Sequence, residues 1–332
     1  MASSGAPPRT TDPAVLIERM LHGDRLALAR LITHVENRTS AVPQIMKAVH
    51  GRGREGYVVG VTGPPGAGKS TVVDRLTAHL RAESATVGIV AVDPSSPFTG
   101  GAVLGDRIRM QAHALDSGVF IRSMATRGSL GGLARATGEV IKLLLAFGHD
   151  WVLVETVGVG QTELDIMKLA DTTAVVLVPE SGDAIQTMKA GLMEAADVFV
   201  VNKADRAGAP ALMTELKFAA HLHYTSGTSA KDIDWEIPVL STQAQSDVGI
   251  GELLAEIRRH RRTLEAGGVL AARRRRRLRG ELESLLLEAL RERVEQGLAG
   301  GGLGAKLDEV VAGELDPYSA VEAMLSMVAP PP

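Results

Sequence analysis

The stretch VGVTGPPGAGKST, residues 59–71, decides how the rest of the chain is read. The stretch carries four glycines and two adjacent prolines ahead of Lys69-Ser70-Thr71, so the residues least suited to a helix directly precede a helical pattern. Gly63-Pro64-Pro65-Gly66-Ala67-Gly68-Lys69-Ser70 satisfies G-x-x-x-x-G-K-[ST] at every fixed position, and Thr71 completes the phosphate-binding set. Glycines let successive backbone N–H groups curl around a phosphate without Cβ clashes. The helix starting near Lys69 aims its free N–H groups and positive dipole end at the same place. Lys69 is placed to neutralise the β- and γ-phosphates, and the Ser70 hydroxyl to meet Mg²⁺.

Outward from this loop the texture is regular. YVVGVT, TVGIVAVD, GVFIRSM, WVLVET, TAVVLVPE, VFVVNKAD and IPVLST are near-continuously apolar, as expected of strands buried on both faces. Helical patterns such as 70–83 and 131–147 lie between them. The alternation predicts an α/β fold, a doubly wound and mainly parallel sheet of the P-loop NTPase kind over 57–262, with its ligand at the carboxyl ends of the strands. Residues 1–12, rich in Pro, Ser and Thr, are expected to be a disordered N-terminus. A helical prefix is predicted over 13–56, with helices starting at Asp12-Pro13, after Gly23-Asp24, and over 41–50. Beyond the sheet, helices are predicted over 252–264 and 270–298, and the last segment, 305–328, forms one helix or two divided at Asp316-Pro317. Residues 263–332 thus form a helical C-terminal arm.

Base choice is carried by Asn202-Lys203-Ala204-Asp205, which follows the run VFVV. Guanine offers two adjacent donors that one carboxylate accepts in parallel, whereas adenine would leave Asp205 without its partner, roughly a 10⁴-fold discrimination. The nucleotide is therefore expected to be GTP, turned over to GDP. Asn202 would brace the loop, the stem of Lys203 would lie over the ring, and Ser241-Thr242 would present backbone N–H groups to the guanine oxygen. Three carboxylates at apparent strand ends or in loops, Asp93, Asp106 and Glu155, are candidates for the Mg²⁺ shell beside Ser70, each with a helix cap or a solvated acid as its alternative. The segment ETVG places Glu155 where a D-x-x-G loop carries Asp, and Gly158 suits γ-phosphate sensing. Gln161 is the candidate to orient the attacking water, although it comes three residues after that glycine. Arg109, Arg122 and Arg127 are candidates for a charge-stabilising finger, with a surface or interface arginine as the plainer account.

The composition, 45 % hydrophobic and 23 % charged over 332 residues, is that of a globular protein, and no apolar run approaches a membrane span. Cysteine is absent, which excludes thiolate metal sites, and no secretory signal is read at the start, so a cytoplasmic location is expected. A net charge of −3 exerts no global pull toward nucleic acid. The arginine run at 273–277 reads as an ion-paired helical arm, with Glu281, Glu283 and Glu288 close by and no aromatic residue near for base stacking.

With the phosphate loop, VAVDPSSPFTGGAVLGDRIRM, MATRGSLGGLA, VETVGVGQTE, PESGDAIQTMKAG and VNKAD in order, the chain resembles the MeaB/ArgK family of GTPases. The resemblance extends over nearly the whole chain. It implies a slow GTP hydrolase, a homodimer held by the C-terminal arm, and a chaperone that gates cofactor loading of an adenosylcobalamin-dependent acyl-CoA mutase and protects or reactivates it. It places Lys69 and Ser70 at phosphate and metal, Asp93, Asp106 and Glu155 around Mg²⁺, and Asn202, Lys203 and Asp205 at the base. It also makes 180–191 a loop that reports nucleotide state to the mutase; read from the residues alone, this is a strand-to-helix connection. Neither a nucleic-acid nor a membrane partner is expected. Two competing classes are a nickel or zinc metallochaperone GTPase and a kinase acting on an amino-acid transport system. The first needs a delivery site, and the only close histidine pair is His221 and His223, read as helix surface. The second needs a phosphoacceptor or base, for which no residue pattern stands out.

Overall fold

The computed structural model describes residues 12–52, 55–93, 113, 115–125, 130–156, 167–180, 191–226, 233–299 and 302–328. Seven strands form one sheet: β1 (Tyr57–Thr62), β2 (Val87–Asp93), β3 (Val119–Ala125), β4 (Trp151–Thr156), β5 (Thr172–Leu177), β6 (Val198–Asn202) and β7 (Val239–Thr242). Their order is β3-β2-β4-β1-β5-β6-β7 and every neighbouring pair is parallel. The doubly wound parallel sheet expected from the apolar runs is the one present. All residues of β1, β4, β5 and β6 are buried, which is why these strands read as unbroken apolar runs.

The prefix consists of α1 (Pro13–Leu21), α2 (Arg25–Glu36) and α3 (Val42–Val49). Asp12 and Asp24 cap the first two helices, accepting from Ala14 N and from Leu26 N and Ala27 N. The prefix shares a core with one face of the sheet: Leu16, Met20, Leu28, Leu31 and Ile45 pack with Val58, Val90, Val152 and with Val140 and Leu144 of α5 (Leu130–Phe147). Three arginines reinforce the contact. Arg25 donates to the carbonyls of Asp116, Ser117 and Val119, Arg38 meets Glu139, and Arg122 of β3 meets Glu36 and Thr33. The opposite face is covered by α4 (Lys69–Ala82) and α8 (Ile250–Ala266), where Val59 and Val61 meet Val72, Val73, Leu76 and Leu253. Val58 and Val59 thus serve different cores, as successive residues of a strand must. Helix α6 (Gly191–Ala195) precedes β6, and α7 (Ala209–Thr225) closes the β5–β7 end through Leu212, Leu216 and Phe199.

One device recurs along the amino-terminal edge. Asp150, Asp171 and Asp197 stand immediately before β4, β5 and β6, and each carboxylate accepts a backbone N–H from a neighbouring chain segment: Thr86 N at 2.8 Å, Val58 N at 3.1 Å and Thr173 N at 2.9 Å. These carboxylates pin register across the strands from below, leaving the carboxyl ends for loops.

The described chain divides into two compact units, Met1–Leu270 and Ala271–Pro332. The boundary falls at the start of α9 (Val269–Ala299). The second unit continues with α10 (Gly302–Val311) and α11 (Pro317–Val328). Of the two readings of the last segment, two helices is the one adopted: the Asp316 carboxylate accepts from Tyr318 N and Ser319 N, and Pro317 sits at the first helical position, where its missing N–H is harmless. No described helix is long and apolar enough to cross a membrane.

Candidate functional site

Strand β1 lies at the point where the sheet's connections diverge, with β4 on one side and β5 on the other, and the loop leaving its carboxyl end is the glycine-rich one. Three of its glycines have positive φ: Gly63 at 142°, Gly66 at 77° and Gly68 at 87°. Gly63 is pressed so closely against β5 that a Cβ there would stand 1.9 Å from Val176 O. A Cβ on Gly68 would stand 2.4 Å from Asn202 Nδ2. Only glycine meets both the backbone conformation and the close approach. Gly68 is also the N-cap of α4 and has no side chain to satisfy the first amide groups, so the helix opens directly into the loop. Lys69 is buried, and its Nζ donates to Gly63 O and Pro64 O, both at 2.9 Å, which draws the ammonium across the mouth of the loop.

Buried Ser70 donates its hydroxyl to Glu155 Oε1 at 2.6 Å, joining the first turn of α4 to the end of β4. A hydroxyl and a carboxylate side by side are the hard oxygen donors that Mg²⁺ takes, so these two residues suit that ion. Asp93 is the last residue of β2 and its backbone pairs with Ala125 of β3. Asp106, Gly158, Gln161, Arg109, Arg127 and residues 181–190 lie outside the described residues. Arg122 is engaged with Glu36 and Thr33 of α2, so among the finger candidates this one serves to fasten the prefix to the sheet.

The second loop of the site follows β6. Asn202, buried, donates from Nδ2 to Ala67 O at 2.8 Å, while its Oδ1 accepts from Thr242 Oγ1 and Ala244 N, both at 3.1 Å. One amide side chain therefore ties three loops together. Lys203, in a left-handed conformation at φ 56°, sends Nζ to Gly66 O at 2.8 Å. Asp205 is exposed at the rim. Next to it Arg206 pairs with Glu180 at 2.5 Å; that hydrogen bond holds the Glu180 carboxyl below its ordinary pKa and raises the guanidinium. Thr242 is buried and its carbonyl accepts from Ala204 N, whereas Ser241 is exposed. Gly249 at φ 79° lets the next turn close on Ser241, where a Cβ would meet Ser241 O at 2.2 Å. These contacts to the phosphate loop, and the role of Gly249, had no local signal in the sequence beyond the identity of the residues.

His221 and His223 sit on α7, where His221 reaches Glu236 on the surface. The arginine run at 273–277 is partly to fully exposed at the start of α9, and farther along that helix Arg279 pairs with Glu283 and Arg291 with Glu295.

Comparison with known proteins agrees with this geometry. A family model described as methylmalonyl-CoA mutase-associated GTPase MeaB matches residues 28–299. A protein of Pyrococcus abyssi named as a GTPase is 50 % identical over 313 residues, covering 94 % of this chain and 96 % of its own. The GTPase ArgK of Escherichia coli is 36 % identical over 260 residues, 76 % of this chain and 77 % of its own. The mitochondrial methylmalonic aciduria type A homolog of Mus musculus is 34 % identical over 270 residues, 77 % of this chain and 64 % of its own. Among solved structures, a LAO/AO transport system kinase superposes with a TM-score of 0.65 at 28 % identity over 98 % of this chain and 99 % of that one. A nucleotide loop of this design, in a sheet of this order and with relatives of this closeness, leads to one assignment: the chain belongs to the MeaB family and is a GTP hydrolase on a P-loop fold.

Proposed function

We propose that this GTPase is a cytoplasmic homodimeric chaperone for an adenosylcobalamin-dependent acyl-CoA mutase of the methylmalonyl-CoA type, using the GTP cycle to gate cofactor loading and to protect or reactivate the mutase. The description of the family, as mutase-associated, and the name of the mouse relative support the partner. The observation that carries the nucleotide site is Asn202, whose side chain bonds the phosphate loop at Ala67 and the base-side loop at Thr242 and Ala244. The base loop and the phosphate loop thereby form one unit, while the GTP and GDP states would differ at the γ-phosphate and metal, beside Lys69 and the Ser70–Glu155 pair.

In this reading the backbone from Gly63 to Gly68, with Lys69, Ser70 and Thr71, takes the phosphates. Asp205 selects guanine, with Asn202 and Lys203 fixing its loop. Ser70 and Glu155 hold Mg²⁺, with Asp93 and Asp106 as further candidates for its shell. Bound there, the metal neutralises phosphate charge. Gln161 remains the candidate for orienting water. The dimer would form through the second unit, where Leu278, Leu282, Leu286 and Leu290 recur every four residues along α9 and are all exposed.

The test is reconstitution with the mutase encoded beside this protein's gene or captured with it from extract. GTP turnover is expected to rise in its presence, and cobalamin loading of the mutase to require hydrolysable GTP. Unchanged turnover together with unchanged loading overturns the chaperone reading and leaves the GTPase assignment standing.

A further inference from the structure

The carboxyl end of β1 is clamped on both sides. On the β5 side, Gly63 abuts the Val176 carbonyl so tightly that no side chain fits. On the β4 side, Thr156 Oγ1 donates to Thr62 Oγ1 at 2.8 Å, and neither residue is exposed by more than 1 %. The register places them opposite each other: Val61 pairs with Glu155, so Thr62 and Thr156 come next at the last step of the ladder. Beyond Thr62 begins the phosphate loop. Directly before Thr156 stands Glu155, which receives the Ser70 hydroxyl.

Successive side chains of a strand leave by opposite faces. Glu155 therefore points toward α4 and Ser70, while Thr156 points to the other side of the sheet. The peptide that joins them sets the direction of the Glu155 carboxylate, and fixing Thr156 fixes that peptide. A hydroxyl pair in a face otherwise built from Val58, Val92, Met124 and Met167 is not needed to fill space. Valine at either position would have much the same shape and preference for a strand, so packing and strand formation alone would be met by valine. The hydroxyls add a directed bond between the two strand ends that carry the Ser70–Glu155 pair and the loop.

We propose that Thr62 and Thr156 are positioning residues for GTP hydrolysis: their hydrogen bond locks the ends of β1 and β4 in register and so holds Glu155 against Ser70 in the geometry that accepts Mg²⁺. This rests on the reading that Ser70 and Glu155 hold the metal. Both threonines would act through Glu155 and neither is assigned to nucleotide or metal.

The full-length protein is compared as wild type, Thr156→Val, Thr156→Ser, Thr62→Val and Glu155→Gln, measuring the Mg²⁺ dependence of GTP hydrolysis, GDP binding in EDTA and thermal melting. In Thr156→Val and Thr62→Val the half-saturating Mg²⁺ concentration is expected to rise about fivefold, the factor that loss of one net hydrogen bond supplies, and GDP affinity without metal to stay unchanged. Thr156→Ser, which keeps the hydroxyl, should restore the wild-type Mg²⁺ curve. A lowered melting temperature with an unaltered Mg²⁺ curve in both valine variants overturns the proposal and leaves the metal reading intact, provided Glu155→Gln shifts the curve. An unshifted curve in Glu155→Gln overturns the metal reading and the proposal together. If Thr156→Val does not fold, Thr62→Val and the double valine variant, in which neither hydroxyl is left unsatisfied, give the same comparison.

Discussion

At the scale of single residues, the decisive groups are those whose neighbours leave them one role. Asp205 stands exposed at the rim of a loop whose Asn202 and Lys203 are bonded to the carbonyls of Ala67 and Gly66. Asp205→Asn is expected to weaken GDP binding by roughly 100-fold while improving a xanthine nucleotide, whose 2-oxo group accepts from the new amide; calorimetry with both ligands checks this. His149 is a different case. It is buried between Phe147 and Phe120, its two ring nitrogens have no hydrogen-bond partner among the described residues, and desolvation, aided by the charge of Arg25, lowers its pKa to about 4. The unfolded chain binds a proton near pH 6.5 and the folded one does not until about pH 4, so His149 costs no stability above pH 6.5 and destabilises progressively as pH falls between these values. From pH 7 to pH 5 its share of the loss is about 2 kcal/mol. Urea unfolding at the two pH values should show that difference shrinking by this amount in His149→Leu.

At the scale of elements, local signals and distant contacts divide the work. The seven strands were legible because parallel strands buried on both faces leave continuous apolar runs, whereas the last segment was open between one helix and two until the structure showed Asp316 capping the second. The edge that aligns those strands was not legible in the same way. Asp171 precedes β5 in sequence, yet it serves Val58 of β1, 113 positions away. Asp171→Ala should lower stability by about 1 to 3 kcal/mol by leaving a buried N–H unsatisfied, and Asp171→Asn by less, since its amide oxygen still accepts. Chemical denaturation of the two variants decides between them. The junction of β1 and α4 is as sensitive. In Gly68→Ala the new Cβ must both adopt φ 87° and displace the Asn202 amide. Guanine nucleotide affinity and melting temperature are expected to fall together there, as fluorescent-nucleotide titration and thermal melting would show.

At the scale of the whole molecule, the helical prefix is part of the core of the first unit, because its apolar faces and the arginines at 25 and 38 meet the sheet and α5. The second unit is built otherwise. Leu286 and Leu287 of α9 are 60 % and 67 % exposed and Tyr318 of α11 is 85 % exposed, so much of its apolar surface is turned outward. If that surface pairs two copies, Leu286→Asp in the full chain should convert a dimer to a monomer in sedimentation without altering GDP affinity, since the nucleotide loops belong to the first unit. A variant still dimeric would place the interface elsewhere.

The linear chain by itself determined the strands, the glycine-rich loop after β1, the Asn202-Lys203-Ala204-Asp205 loop after β6 and the residue types proposed for phosphate and guanine, because each of these follows a local rule: backbone conformation at glycine, burial on two faces, or a carboxylate suited to two donors. Only the tertiary structure decided that Asn202 grips Ala67, that Glu155 faces Ser70, that Thr62 is tied to Thr156 and that Arg122 is spent on holding α2. Those partners are brought together by strand order and register, and a parallel sheet whose neighbours are far apart in the chain leaves no trace of such pairings in any local stretch of sequence.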